Sequence, residues 1–147
     1  MKRFFAFIAL AACLAFVSCK KDNAGGTVTV NDATYTNVQA TCDDSHGGLW
    51  FKFDLGDGIF ATALVDARLA LEKTLHYGYE ENNGGYGDWL CLGVEYPGGG
   101  IYNVDPASGT QTIKKKSDAY TVAVDGKDQN GKVFKVNVTA KIVAGDY

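Results

Sequence analysis

Proline is almost missing from this sequence: two in 147 residues, against 18 glycines. Its turns must therefore be built by residues that reach positive φ, as tight β-hairpins prefer, and not by rings that fix φ. Histidine is equally scarce. His46 and His76 have no paired spacing, and Cys42 beside His46 would give two metal ligands at most, too few for a site. Serine is thin after the N-terminal stretch. Ser45, Ser108 and Ser117 all fall in loop-like positions, none in a Gly-x-Ser-x-Gly elbow, and nothing marks off a working pair among Glu72, Glu80, Glu81, Asp88 and Glu95. No nucleophile, base or acid pair can be named, so no enzymatic role is expected.

Long apolar runs are also missing, with one exception at the start. Met1-Lys2-Arg3 is a short positive segment, and Phe4 to Val17 is apolar throughout. At about 14 residues the run is too short to cross a ~30 Å hydrocarbon core as a helix, and it has the length of a signal-peptide core. The residues that follow, Ala15-Phe16-Val17-Ser18-Cys19, resemble the lipobox of bacterial lipoproteins, differing at Phe16, where that family most often has Leu. The resemblance implies cleavage after residue 18, a diacylglyceryl group on the Cys19 thiol and an acylated Cys19 amine. No other cofactor is expected. One acyl chain anchors only marginally, whereas two or three make a durable tether. Lys20-Lys21-Asp22 resembles the export tag that carries some Gram-negative lipoproteins to the outer face of the cell. The expected partners are thus the outer membrane and the machinery that processes and sorts lipoproteins. Residues 19–26 would form a lipidated tether, and 27–147 a single domain.

Removing Lys2 and Arg3 lowers the 14 Lys and Arg to 12, against 17 Asp and Glu, so the mature part sits near −5. Such a balance argues against nucleic acid as a partner. The one basic run, Lys114-Lys115-Lys116, reads as a solvated strand end.

The domain's dominant pattern is period 2, the mark of half-buried strands. Thr27 to Val30 alternates, Asn31-Asp32 turns, and Val38, Ala40 and Cys42 share one face. Leu49, Phe51, Phe53 and Leu55 point inward while Trp50, Lys52 and Asp54 point out. Gly56-Asp57-Gly58 is a tight turn, and Ile59 to Val65 returns. Tyr120, Val122 and Val124 pair across Asn130-Gly131 with Phe134, Val136, Val138, Ala140 and Ile142. The middle is less regular. Asp66 to Leu75 reads as a strand or as a helix capped by Asp66, with the β flanks favouring strand. Trp89 to Tyr96 is apolar on both faces, so it is expected to be central, and Ile101 to Val104 and Thr110 to Ile113 are short strands. About nine antiparallel strands result, which implies a β-sandwich, with a closed lipocalin-like barrel as the alternative. Gly100-Ile101-Tyr102 followed by the Asn-Gly hairpin looks like small β-domain lipoproteins of Gram-negative bacteria, a resemblance that covers the last third and names no activity.

Cys42 and Cys91 remain once Cys13 and Cys19 are set aside. In an oxidising compartment they would form a disulfide, yet their strand parities diverge if Leu90, Leu92 and Val94 face the core; a bridge and two separate thiols both stay open. Aromatic rings give the one hint of a ligand. Tyr77, Tyr79, Tyr86, Trp89 and Tyr96 crowd one stretch among Asn and Gly, and Trp50 faces outward, as suits stacking on a glycan or a protein surface. The chain thus reads as a lipid-anchored cell-surface module for binding, adhesion or assembly. A carrier of a small apolar ligand and an inhibitor of a hydrolase are the alternatives.

Overall fold

The structure, a computed structural model, describes residues 25–77 and 89–145. Ten strands and one helical turn follow each other: β1 Gly26–Val30, β2 Ala33–Asp43, β3 Gly48–Gly56, β4 Ile59–Asp66, α1 Ala67–Ala70, β5 Thr74–Tyr77, β6 Leu92–Tyr96, β7 Gly100–Val104, β8 Pro106–Lys116, β9 Ala119–Asp128 and β10 Val133–Ile142. They form one open sheet in the order β5-β8-β9-β10-β1-β2-β3-β4-β6-β7. Its ladders are antiparallel, except where β10 and β2 meet in parallel beyond the start of β1, at Ala140 with Ala40 and Ile142 with Cys42.

The alternation in the sequence becomes the two faces of this sheet. Phe51, Phe53, Phe134, Val122 and Val136 are all buried on the inner one. The sheet rolls until that face packs on itself: the Phe51 ring of β3 meets the Tyr120 ring of β9 edge-on, with centroids 6.2 Å apart, although three strands separate them. The sandwich expectation therefore holds as an all-β architecture. The lipocalin-like barrel does not, because among the described residues β5 and β7 end the sheet without pairing to each other. Gln111 of β8, fully buried, accepts at its Oε1 from the Tyr77 hydroxyl and from the Leu90 backbone N–H, both at 2.7 Å. Leu90 leads into β6, so this amide ties the two margins of the roll together without a strand ladder.

Turn chemistry sets the registers. Asn31 and Asp32 both take positive φ, 55° and 67°, as a two-residue hairpin needs. Asn37, at φ 58°, marks a register slip between β1 and β2, after which Tyr35 pairs with Val28 and packs against the core. Gly26 was expected in the tether but lies in β1. A side chain there would collide with the Asn137 carbonyl oxygen and the Val138 backbone.

The segment after β4 is both of the expected things in turn. Asp66 caps α1 by accepting from the Arg68 N–H at 2.9 Å. Glu72, at φ 58°, then turns the chain, and its N–H bonds the Ile113 carbonyl as β5 settles on β8. Trp89 to Tyr96 is a correction of another kind. β6 starts only at Leu92, after exposed Cys91, lies next to the edge, and exposes Glu95 and Tyr96.

Cys42 and Cys91 are both free thiols. Cys42 faces the core, and burial, with Asp44 and Asp43 nearby, pushes it up to about 12. Cys91 has the opposite parity to buried Leu90 and Leu92, which is why the two sulfurs diverge.

The turn between β2 and β3 holds the clearest electrostatic knot. Asp43 Oδ1 accepts from the Ser45 N–H and hydroxyl at 2.8 and 2.6 Å. Asp44 Oδ2 accepts from Lys115 Nζ at 2.9 Å and the Tyr120 hydroxyl at 2.8 Å, so one lysine of the basic run does have a partner. Ser45 holds the Asp43 carboxyl below its ordinary range, and Lys115 and Tyr120 do the same for Asp44. A depressed folded value stabilises the fold above the unfolded value, about 3.9, and that share disappears as pH falls through the folded value. The melting temperature should hold down to about pH 4 and fall below it, with a smaller fall in Asp44→Asn. An equal acid-induced fall in that variant would remove Asp44 from the account.

Candidate binding face

The outer face of β3, β4, β6 and β7 is built row by row from the cross-strand registers. Trp50 pairs with Leu64. Lys52 lies across from Thr62, then Gly93, then Asn103; Asp54 lies across from Phe60, then Glu95, then Ile101. Trp50 is 44% exposed, Leu64 47% and Ile101 72%. A floor of backbone separates them. Gly93 has no side chain, and a Cβ there would find Thr62 Oγ1 and Asn103 Oδ1 at 3.6 Å and Ile101 Cγ2 at 3.7 Å as its nearest neighbours, ordinary contact distances. The surface is thus a shallow saddle with an indole and two aliphatic side chains at its margins and a hydroxyl, an amide and a lysine between them. Lys52 Nζ lies 4.9 Å from the centre of the Phe60 ring, which ties the cation to this face.

The rings singled out in the sequence do not act together here. Tyr77 is 6% exposed and Trp89 packs on it edge-on, centroids 4.7 Å apart, so this pair belongs to the seam around Gln111. Burial raises the Tyr77 phenol far above its usual range. Tyr96 has the inward parity of Leu92 and Val94 but lies at the open end of β6, 38% exposed and beside Tyr35, whose phenol is raised by burial and by Tyr96. Tyr79, Tyr86 and Cys19 lie outside the described residues. Leu64, Ile101 and Tyr102 escaped the sequence reading. Their signal was an apolar residue at an outward or edge position, visible only once the parity of β4 and β7 was known.

One polar grouping resembles catalytic furniture. Ser45 Oγ lies 2.8 Å from His46 Nδ1 and 2.6 Å from Asp43 Oδ1. A triad needs the carboxylate to orient the imidazole. Here it bonds the hydroxyl, His46 Nδ1 lies 3.7 Å from Asp43 Oδ2, and the three residues form one turn. The arrangement caps the turn. Among the described residues no three His, Cys, Asp or Glu side chains gather as metal ligands, and no helix is long and apolar enough to cross a membrane.

No protein-family model matches this chain, and neither the curated proteins nor the solved structures give a match.

Proposed function

We propose that this protein is a lipid-anchored lipoprotein of the cell envelope whose β domain binds a glycan or protein ligand without catalysing a reaction. The anchor rests on the leader and on Cys19 in its lipobox-like setting. The binding role rests on one observation: Trp50, Leu64 and Ile101 stand exposed around the Gly93 saddle. Exposed apolar side chains grouped about polar ones on one sheet face are the composition of a recognition surface. The interior offers no comparable support for a carrier, since Phe51, Phe53, Tyr120 and Phe134 fill it.

An array of glycans and proteins probed with the soluble domain tests this reading. Trp50→Ala should weaken any ligand found by about thirtyfold, near 2 kcal/mol. Tyr77→Phe, a change inside the seam, should leave affinity alone. Full affinity in both Trp50→Ala and Ile101→Ala would take the saddle out of consideration.

A further inference from the structure

β7 is an edge without the usual protection. Among the described residues no strand pairs with its outer side. Edge strands are normally blunted by lysine, proline, a bulge or extreme shortness. Gly100-Ile101-Tyr102-Asn103-Val104 has no charge and no proline, and its five pairs with β6 run without a slip, unlike the shifted registers of β1 with β2, β3 with β4 and β8 with β9. Its first four residues are exposed. The turn that leads into it is open too, since a Cβ on Gly98, Gly99 or Gly100 would meet nothing within 4 Å.

Charge indicates what such an edge admits. Between Lys73 and Lys114 the sequence has no Lys or Arg, but it has Glu80, Glu81, Asp88, Glu95 and Asp105. Elsewhere in the mature chain 12 acids offset 12 bases, so this stretch carries the whole net charge. Of the acids in this stretch, the two among the described residues belong to the outer face of β7: Glu95 lies across from Ile101, and Asp105 follows inward-facing Val104 and meets the Cys91 thiol. A second copy pairing through its own β7 would bring the same acids and no cation from that stretch. The inner side of the edge is apolar, with Tyr102, 39% exposed, across from buried Val94.

We infer that the β7 edge binds an extended basic polypeptide segment by strand addition, with cations of the incoming strand over Glu95 and Asp105 and its alternate apolar residues beside Tyr102 and Val104. Backbone hydrogen bonds supply the affinity in this mode and alternate side chains the choice of partner. The inference rests on the reading of the domain as a binding module and names the class of ligand.

The probe is the end-blocked heptapeptide Lys-Val-Lys-Val-Lys-Val-Lys, with its Glu-for-Lys counterpart as control, added to the full-length protein in detergent. At saturation, amide exchange across residues 100–104 should slow by about tenfold or more, with β1 unchanged. Neutralising both exposed acids in Glu95→Gln with Asp105→Asn should weaken the peptide by about tenfold without disturbing the fold. Asn103→Pro should abolish the protection by breaking the edge; the doubly neutralised variant keeps the test decisive if Asn103→Pro does not fold. Unchanged exchange at 100–104, or equal protection by the Glu peptide, overturns the inference. So does protection that grows with protein concentration alone, which assigns the edge to a second copy. A glycan bound through Trp50 with no effect at 100–104 overturns it as well and leaves the binding-module reading in place.

Discussion

Truncating Phe51 to alanine should lower the free energy of unfolding by about 3–5 kcal/mol. The ring is 2% exposed, stacks on Phe53 with centroids 6.0 Å apart and meets Tyr120 edge-on from the opposite layer. Two losses combine: the transfer of the ring out of water, and the cavity left between β3 and β9. Because those strands touch only through their side chains, the backbone ladders cannot close the gap. Phe60→Ala is the matched control. That ring is half-buried on the outer face under Lys52, and its loss should cost about 1 kcal/mol. Urea titration of both variants decides the matter. Equal costs would mean that the roll is not held by its inner face.

Replacing Cys19 by serine should abolish metabolic lipid labelling and move the protein entirely out of the membrane fraction. Among the described residues no helix is long and apolar enough to span a bilayer. Each acyl methylene is worth about 0.8 kcal/mol on burial, so two or three chains lost together take the whole tether with them. Membrane retention of Cys19→Ser at wild-type levels would refute the anchor. Exchanging Lys20-Lys21-Asp22 for neutral residues, with Cys19 intact, then asks a separate question: protease accessibility on whole cells reports whether the domain still reaches the outside.

What could be read from the sequence was whatever depends on neighbours along the chain. Leu49, Phe51, Phe53 and Leu55 alternate with Trp50, Lys52 and Asp54, and the structure buries and exposes them in that order. Asn31-Asp32 and Asn130-Gly131 announce hairpins through the φ values they tolerate. Distant partners were not legible. β8 runs from Pro106 to Lys116, far beyond Thr110 to Ile113, because its ladder with β9 continues to Pro106 at one end and Lys116 at the other. Gln111 looks like an outward polar residue until the Tyr77 hydroxyl and the Leu90 N–H are brought to it from other parts of the chain. The same limit governed the candidate site. Tyr and Trp were visible as types, but Tyr77 and Trp89 turn inward at the seam, while Leu64 and Ile101 became surface residues only through the pairing of β4 with β6 and β6 with β7.

The chain enters the sheet at its middle. β1 follows the proposed tether directly and lies between β10 and β2, bonded to both, at Thr27 to Thr29 on one side and along its whole length on the other. With the proposed tether in place, drag on a bound ligand would be balanced through this strand. A load along its axis sets two ladders in shear, where the bonds must yield together, whereas a margin such as β7 would unzip one pair at a time. The proposed anchor would thus pull on an interior strand of the sheet, while β5 and β7, its terminal strands among the described residues, would stay clear of that load.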